Sequence, residues 1–290
     1  MNKKLNFEKY IEAIRLQPQA AESFRKLHAR SGDVTFEGKI GESFRRYDEG
    51  DELFGAYLKE FAEAEGVTPE ELNLYVYLRL SERTWDYYQQ KGIGLDVFYE
   101  SFYSMTVCCQ VCYERIGIYG IDQVTYRKWQ RYVLDGTLFR LGRLEFQLVD
   151  IDYAIDVEGL QVPAGTTVLS VHIPRYLPLD EEACEKSYAW AKNFFREIFG
   201  IKTCVFICGS WLLHPWMQEV LPESSAIIRF QKKFKLYWVE QNVAAAVGWI
   251  FPNCKDKDIS QYPTDTSLRR AALQRIREGG TIGIARGVRL

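Results

Sequence analysis

The sequence predicts an α+β protein in which a helical N-terminal domain, residues 1–130, precedes a mixed α/β domain, residues 131–290. Three observations carry this prediction. Apolar residues recur at helical spacing through the first part of the chain, and segments with the two-residue alternation of strands begin near residue 137. The third observation is the succession of a strand, a helix and a second strand between Val168 and Pro215.

This strand, helix and strand also indicate where a ligand would bind. The runs VLSVHIP and CVFICGSWLLHP are apolar throughout, which is typical of parallel strands covered on both faces. A helix from Asp180 to Phe199 connects them and stops at Gly200. Ligands of open α/β sheets bind beyond the carboxyl ends of the strands. We therefore expect a cleft at these ends, which carry His172, Pro174, Arg175, Cys208, Gly209, Ser210 and Trp211.

The helical half contains one specific start signal. Thr68 and Glu71 form a capping box with Pro69 at the first helical position, so a long central helix begins there and extends to Gly92. The segment SGDVTFEGKIGES is rich in turn-forming residues and is expected to be a turn. The other helices are expected over Phe7 to Leu16, Ala20 to Ala29, Asp51 to Glu65, Asp96 to Arg115, and from a cap at Asp122 to Gly136.

Strand patterns dominate the second half. TLFRLGRLEFQLV alternates apolar and polar residues apart from Gly142, where a bulge or a close backbone approach is expected. A shorter strand follows near Tyr153 to Val157, and VEGLQVPAGTT is expected to be a loop. After Pro215 the pattern predicts a short helix to Leu221, a long strand over SSAIIRFQKKFKLYWV, a further strand from Ala244 to Ile250, and a final helix from Leu268 to Glu278.

Composition excludes several classes of protein. The 290 residues are 47% hydrophobic and 26% charged, which indicates a globular chain, and a net charge of −2 argues against nucleic-acid binding. The start MNKKLNFEKY has no apolar run behind its basic residues, and no stretch approaches the roughly 20 apolar residues of a membrane span. Seven cysteines, an odd number, favour reduced thiols. We therefore expect a cytoplasmic protein with neither nucleic-acid nor membrane partners.

Two local clusters stand out. Cys108 and Cys112 share a helix face with Cys109 between them, but no second ligand pair with zinc-site spacing exists, so buried thiols are favoured and no metal is expected.

Arginines accumulate near the end of the chain, from Leu268 to Leu290, where the sequence contains a single glutamate, Glu278. An anionic ligand could bind there. These arginines are Arg269, Arg270, Arg275, Arg277, Arg286 and Arg289.

Several motifs together resemble a known family. They are LFRLGRLEFQ, VHIP followed by PLDEEAC, CGSWLLHP, SSAIIRFQKKF, TSLRRA and the closing arginine-rich helix with its double glycine. The chain resembles bacterial proteins described as acyltransferase domain-containing, with a helical N-acyltransferase-type N-terminal domain and a GNAT-like C-terminal domain. The resemblance is strongest from Tyr132 to Gly280. It implies a GNAT-like fold for residues 131–290 and an N-acyltransferase that moves an acyl group from acyl-CoA to an amine.

The resemblance implies that a backbone N–H on a splayed strand polarises the donor carbonyl. Two features oppose conventional CoA binding: RYLPLD replaces a glycine-rich phosphate loop, and the following helix begins with three acidic residues, Asp180, Glu181 and Glu182. His214 also stands where the family motif has an acidic residue. Arg175 and the C-terminal arginines could compensate. The expected contacts to CoA or acyl-CoA come from His172, Ile173, Arg175, Trp211, Arg269 and Arg270.

Four side chains are candidates for catalysis. His172, at a strand end, could be a general base or a hydrogen-bonded structural histidine. Glu145 could take the proton of an amine, or it could lie on a solvated strand face or pair with Arg143. Cys208, with His172 as its base, or Ser210 could be a nucleophile. A strand cysteine is more often a core residue, however, and Ser210 lacks the second glycine of a G-x-S-x-G elbow.

Three functional hypotheses follow. The first is a two-domain acyltransferase with its cleft at the ends of the strands that bear His172 and Cys208. The alternative is a non-catalytic binding or regulatory protein with the same fold, and the third is a cysteine or serine hydrolase. The sequence identifies neither the amine acceptor, nor the acyl length, nor the oligomeric state.

Overall fold

The computed structural model describes residues 4–202, 204–241, 244–254 and 257–290. The chain divides into two compact units, one of Met1–Leu141 with Pro174–Tyr176 and one of Gly142–Ile173 with Leu177–Leu290. The boundary between residues 130 and 131 stays a prediction from the sequence. No helix in the described part of the chain is both long enough and apolar enough to cross a membrane.

The first unit is mainly helical. Its described elements are α1 (Phe7–Ala13), α2 (Pro18–His28), α3 (Val34–Glu49), α4 (Asp51–Glu65), α5 (Pro69–Lys91), α6 (Leu95–Ile116), α7 (Gln123–Leu134) and the short strand β1 (Leu138–Leu141). Helix α5 packs against α2, α3, α4, α6 and α7, which confirms it as the central helix. Thr68 and Glu71 form the predicted capping box at its start, and Gly92 ends it in the left-handed conformation.

Helix α3 corrects the turn expected between residues 31 and 43. The Oδ1 atom of Asp33 accepts hydrogen bonds from the N–H groups of Thr35 and Phe36 at 2.8 and 3.1 Å and so caps the helix. Phe36, Ile40 and Tyr47 are buried along one face. The glycines of this segment suggested a turn, but burial of a continuous apolar face outweighs their low helix propensity.

The second unit is a mixed α/β structure. Its main strands lie in the order β2-β5-β6-β8-β7, with β5 and β6 parallel and the other neighbouring pairs antiparallel, and β3 and β4 form a separate hairpin. The described elements are β2 (Leu144–Asp150), β3 (Ile155–Val157), β4 (Leu160–Val162), β5 (Thr167–His172), α8 (Glu181–Phe199), β6 (Phe206–Ser210), α9 (Met217–Val220), α10 (Ala226–Gln231), β7 (Lys235–Glu240), α11 (Ala244–Ile250), α12 (Ser267–Arg277) and β8 (Ile284–Arg289). The α+β class and the parallel pair joined by a helix are both confirmed.

Several strand predictions were wrong. The long strand predicted over SSAIIRFQKKFKLYWV is helix α10 followed by strand β7, and the strand predicted from Ala244 to Ile250 is helix α11. Short apolar runs do not distinguish a helix from a strand by periodicity, and the three alanines of α11 favour a helix. Gly142 lies in a two-residue turn between β1 and β2, not in a bulge. Strand β4 lies within an expected loop, and β8 was not predicted.

The two faces of the main sheet are covered differently. On the first face, the rings of Phe146 and Phe206 pack against Tyr188 of α8, with centroid distances of 5.8 and 4.9 Å. On the second face, Val168 and Ile207 belong to an apolar cluster that includes residues of the β3–β4 hairpin. The hairpin therefore covers one end of the second face, and the other end of that face carries the polar residues described below.

Alanine in place of Gly142 should destabilise the protein by about 1–2 kcal/mol. Gly142 has a φ of +78°, and a Cβ atom there would lie 2.9 Å from Oγ of Ser187, which accepts the N–H of Arg143 at 2.8 Å. Urea denaturation measures this loss. Gly248→Ala is the control, because Gly248 is helical and, apart from its chain neighbours and the backbone of its own helix, no heavy atom of the described structure lies within 4 Å of its added Cβ. Equal effects of the two substitutions would contradict the strain at Gly142.

Candidate active site

A polar strip occupies one end of the second sheet face. In the antiparallel register of β2 and β5, Glu145 lies opposite His172 and Gln147 lies opposite Ser170. Directly opposed residues of antiparallel strands point to the same face. The next pair on this face is formed by two valines that belong to the apolar cluster under the hairpin. We call Glu145, Gln147, Ser170 and His172 the polar strip.

His172 is held in a neutral form within this strip. Its Nε2 atom lies 3.2 Å from Oε1 of Gln147. An amide oxygen only accepts hydrogen bonds, so with this side-chain orientation Nε2 of the ring is the donor in the contact. Burial lowers the pKa of His172 to about 4. The imidazole is therefore neutral at physiological pH, and Gln147 orients it.

Glu145 lies across from His172 and is 4% exposed. This burial excludes the solvated strand face that the sequence left open. The guanidinium of Arg143 donates to the backbone oxygens of Pro178 and Leu177, at 2.6 and 3.0 Å. A buried carboxyl group next to a neutral histidine is a candidate for proton transfer.

The registered pairing of β5 with β6 ends before the strands themselves end. It joins Leu169 to Phe206 and Ser170 to Ile207, whereas β5 continues to His172 and β6 to Ser210. The amide of Leu169 donates to the oxygen of Val205 on the β6 side at 2.8 Å. Amide directions alternate along a strand, so we expect the amide of Ile173, one residue past the end of β5, to point to the same side, beyond the last registered pair. We call the space between residues 171–173 and 208–210 the strand gap.

Comparison with known protein families agrees with this architecture. The model of the N-acyltransferase N-terminal domain matches residues 6–136, and that of the GNAT-like C-terminal domain matches residues 138–289. The second match covers more than half of the chain. The chain belongs to this GNAT-like N-acyltransferase family. The resemblance noted in the sequence is therefore confirmed.

Solved structures of acyltransferases share the fold. One, in complex with decanoyl-CoA and teicoplanin, is 24% identical with a TM-score of 0.66, and the match covers 75% of this chain but only 65% of that chain. A mutant acyltransferase in complex with octanoyl-CoA is 20% identical with a TM-score of 0.75, over 99% and 89% of the two chains. A third, in complex with decanoyl-CoA, is 18% identical with a TM-score of 0.67, over 98% and 99%. The comparison with curated proteins found no match.

In this GNAT-like chain, Cys208 and Ser210 lie away from the polar strip. Both alternate with Ile207 and Gly209 along β6, so their side chains point to the first sheet face, opposite to His172. Cys208 is 1% exposed, and burial raises the pKa of its thiol to about 12. The Oγ of Ser210 accepts the N–H of Leu212 at 3.1 Å and caps a short turn. The structure does not bring either nucleophile to His172.

Alanine in place of Cys208 should leave any release of CoA from acyl-CoA within about twofold of the wild-type rate, because the protonated thiol lies on the sheet face opposite to the polar strip. The loss of stability should be small, about 1 kcal/mol, since only one sulfur atom is removed from the core. Release of free CoA measures the rate. Complete loss of activity in a folded Cys208→Ala protein would restore the cysteine hypothesis.

Two of the acidic residues at the start of helix α8, Asp180 and Glu181, bind other groups of the protein. Asp180 caps the helix by accepting the N–H of Ala183 at 2.8 Å. Glu181 pairs with Arg229 and Lys233 at 3.2 and 2.7 Å. These cations offset the negative charge that the sequence placed against phosphate binding, although exposed ion pairs of this kind are individually weak.

The remaining predicted contacts lie at several places. Arg175 belongs to the segment that clusters with the first unit, and Ile173 follows β5 at the strand gap. Trp211 packs against the apolar cluster that includes Trp216.

The predicted arginines near the end of the chain bind within the protein. Arg269 pairs with Asp265 at 2.8 Å and donates to the oxygen of Ile250. Arg270 donates to the oxygen of Thr264 and lines an open cavity of about 570 Å³. His214 is buried, with Nε2 3.0 Å from Oε1 of Gln241.

The cysteine cluster of the first unit consists of buried thiols. Cys108, Cys109 and Cys112 are each at most 2% exposed. Burial raises the pKa of Cys109 and raises that of Cys112 to about 11. Among the residues that the structure describes, no group of three or more His, Cys, Asp or Glu side chains is placed to hold a metal ion.

Two residues of the site region were missed in the sequence. Gln147 orients His172, and Arg286 extends the same face onto β8. For Gln147 the signal was present, because it alternates with the apolar residues of β2 in phase with Glu145. For Arg286 there was no strand prediction to place it, so it appeared only as one of several C-terminal arginines.

His172 should make stability depend on pH. Its pKa is lowered from 6.5 to about 4 in the folded protein, so between these values the unfolded chain binds a proton that the folded chain does not. The free energy of unfolding therefore falls as the pH falls from about 6.5 to about 4. Partial exposure reduces the effect to about 1–2 kcal/mol. Denaturation of wild type and His172→Gln at pH 7 and pH 4.5 tests this, and identical losses would contradict it.

Proposed function

We propose that this chain is an N-acyltransferase that moves an acyl group from acyl-CoA to an amine, with the polar strip and the strand gap as its active site. One observation supports this most directly: the registered pairing of β5 and β6 stops beside Glu145, a candidate base, and its neighbour His172. Membership of the GNAT-like N-acyltransferase family and the acyl-CoA bound in the solved structures of the same fold agree with it.

The amide of Ile173 is the proposed donor to the thioester carbonyl. Strand alternation from Leu169, whose amide donates towards β6, directs the Ile173 amide to the strand gap, where the oxygen of an acyl group could accept its hydrogen bond. Negative charge develops on this oxygen as the amine attacks, and a fixed backbone N–H stabilises that charge without reorganisation. Pro174 follows and has no N–H of its own.

Glu145 is the proposed base. As the new C–N bond forms, the nitrogen of the amine becomes positive, and a carboxylate stabilises this charge and then accepts the proton. The neutral His172 cannot supply a negative charge, and its low pKa makes it a weak base at neutral pH. The C–S bond breaks next, and the CoA thiolate takes a proton from solvent. His172 and Gln147 then serve to position the reacting groups.

The hydrolase hypothesis gains no support from this geometry, because Cys208 and His172 project to opposite faces. The function is tested by incubating the protein with octanoyl-CoA or acetyl-CoA and a panel of primary amines. Free thiol and the mass of the N-acyl product are measured together. Thiol release without any N-acyl product would indicate thioester hydrolysis and would count against transfer to an amine.

A further inference from the structure

Arg286 lies level with His172 on the far side of the strand gap. On β6, Ile207 pairs with Ser170 of the polar strip, and Gly209 follows two residues later on the same face. Gly209 on β6 therefore occupies the position that corresponds to His172 on β5. On β8, Arg286 lies opposite Gly209 in the antiparallel register. His172, Gly209 and Arg286 thus occupy neighbouring positions on three adjacent strands and share one face.

Gly209 leaves a trough between the two side chains. It has no side chain of its own, and among the described residues the nearest heavy atom to a Cβ built there is Cγ of Arg286, at 3.7 Å. His172 and Arg286 lie two strands apart, so their backbones are separated by at least about 10 Å, the distance of two regular strand spacings. Both side chains are long enough to reach a small ligand in this trough.

Arg286 is an exposed cation that is held in place by an aromatic ring. Its guanidinium carbon lies 4.5 Å from the ring centroid of Trp238, the residue opposite it on β7. Within the described part of the chain, Arg286 makes no ion pair, whereas the nearby Arg289 pairs with Glu185. Stacking on an aromatic ring fixes the guanidinium plane while its N–H groups stay available, and these groups match carboxylates and phosphates.

We propose that Arg286 binds an anionic group, a carboxylate or a phosphate, carried by the amine acceptor. This inference rests on the proposed function, which places the amine near Glu145 and the thioester in the strand gap. The acceptor would then carry its amine and its anion a few bonds apart, with the amine at the polar strip and the anion across the trough. The diphosphate of CoA does not fit here, because the long pantetheine arm holds it far from a thioester at the level of Arg286.

Calorimetric binding with matched ligand pairs tests this proposal without requiring turnover. The first pair is phenylalanine with phenylalaninamide and tests a carboxylate. The second pair is glucosamine 6-phosphate with glucosamine and tests a phosphate. Wild type should bind the anionic member of at least one pair about tenfold more tightly or better. Arg286→Gln should abolish this preference, and Arg286→Lys should retain part of it. Arg196→Gln, which changes an exposed arginine on α8, should retain all of it.

Absence of any preference in wild type, or a preference that survives in Arg286→Gln, would overturn the proposal. Kinetics add a second criterion where turnover is observed: Arg286→Gln should raise the KM of the anionic amine and leave that of acyl-CoA unchanged. A raised KM for acyl-CoA alone would assign the arginine to the donor and overturn the proposal as well. Failure of wild type to acylate any amine would instead contradict the proposed function. The binding comparison would still decide whether Arg286 binds the anion.

Discussion

Glutamine in place of Glu145 should lower kcat/KM for acyl transfer by about 100-fold or more, which is the usual contribution of a positioned general base. The substitution keeps the shape of the side chain and removes its negative charge and its ability to accept a proton. Binding of acyl-CoA should change little, because the carboxylate acts on the amine. Steady-state release of CoA and calorimetric titration with acyl-CoA measure the two quantities separately.

The control for this substitution is Asp150→Asn, which makes the same change at the other end of β2. The Asp150 carboxylate accepts a hydrogen bond from the hydroxyl of Thr167 and lies away from the polar strip. The rate of the Asp150→Asn variant should therefore stay within about twofold of that of wild type. His172→Gln should lower the rate less than Glu145→Gln. If instead His172→Gln abolished transfer while Glu145→Gln remained active, the histidine would be the base.

Alanine in place of Phe146 should reduce the free energy of unfolding by about 3–5 kcal/mol. The Phe146 side chain is fully buried, and its ring packs against Tyr188 and Phe206 at centroid distances of 5.8 and 5.7 Å. Removal of the ring leaves a cavity between β2 and α8 that neighbouring aromatic rings cannot fill. Urea denaturation followed by circular dichroism measures the effect.

Gln147 provides the matched comparison, because it is the next residue on β2 and points to the opposite face. Gln147→Ala should cost about 1 kcal/mol, since one side-chain hydrogen bond to His172 is lost. A loss below about 1 kcal/mol for Phe146→Ala, or equal losses for the two variants, would contradict the assignment of the two faces.

Local signals in the sequence were sufficient to predict the start of α5, the ends of α8 and the parallel pair of strands on either side of α8. The capping box at Thr68 fixed the start of α5, and Asp180 and Gly200 marked both ends of the region of α8. Uniformly apolar strands around α8 indicated a parallel pair, which β5 and β6 form. These signals involve residues that are close in the chain, so no knowledge of the folded sheet was needed.

The errors arose where the decisive interactions are distant in the chain. Ile228 of α10 is buried in the apolar cluster that includes Trp216 and residues of α12, and this packing favours a helix although the same residues fit a strand pattern. The sequence named both Glu145 and His172, but only the register of β2 and β5 shows that they face each other. In the same way, Arg286 becomes a site residue only through its pairing with Gly209.

The most direct test of the proposed active site compares wild type with Glu145→Gln in one assay that follows acyl-CoA binding and formation of N-acyl product. The proposal predicts that wild type binds acyl-CoA and acylates an amine, and that the variant binds acyl-CoA as tightly but forms at most about one hundredth of the product in the same time. A folded wild-type protein that binds no acyl-CoA and forms no product, or a variant as active as wild type, would contradict it.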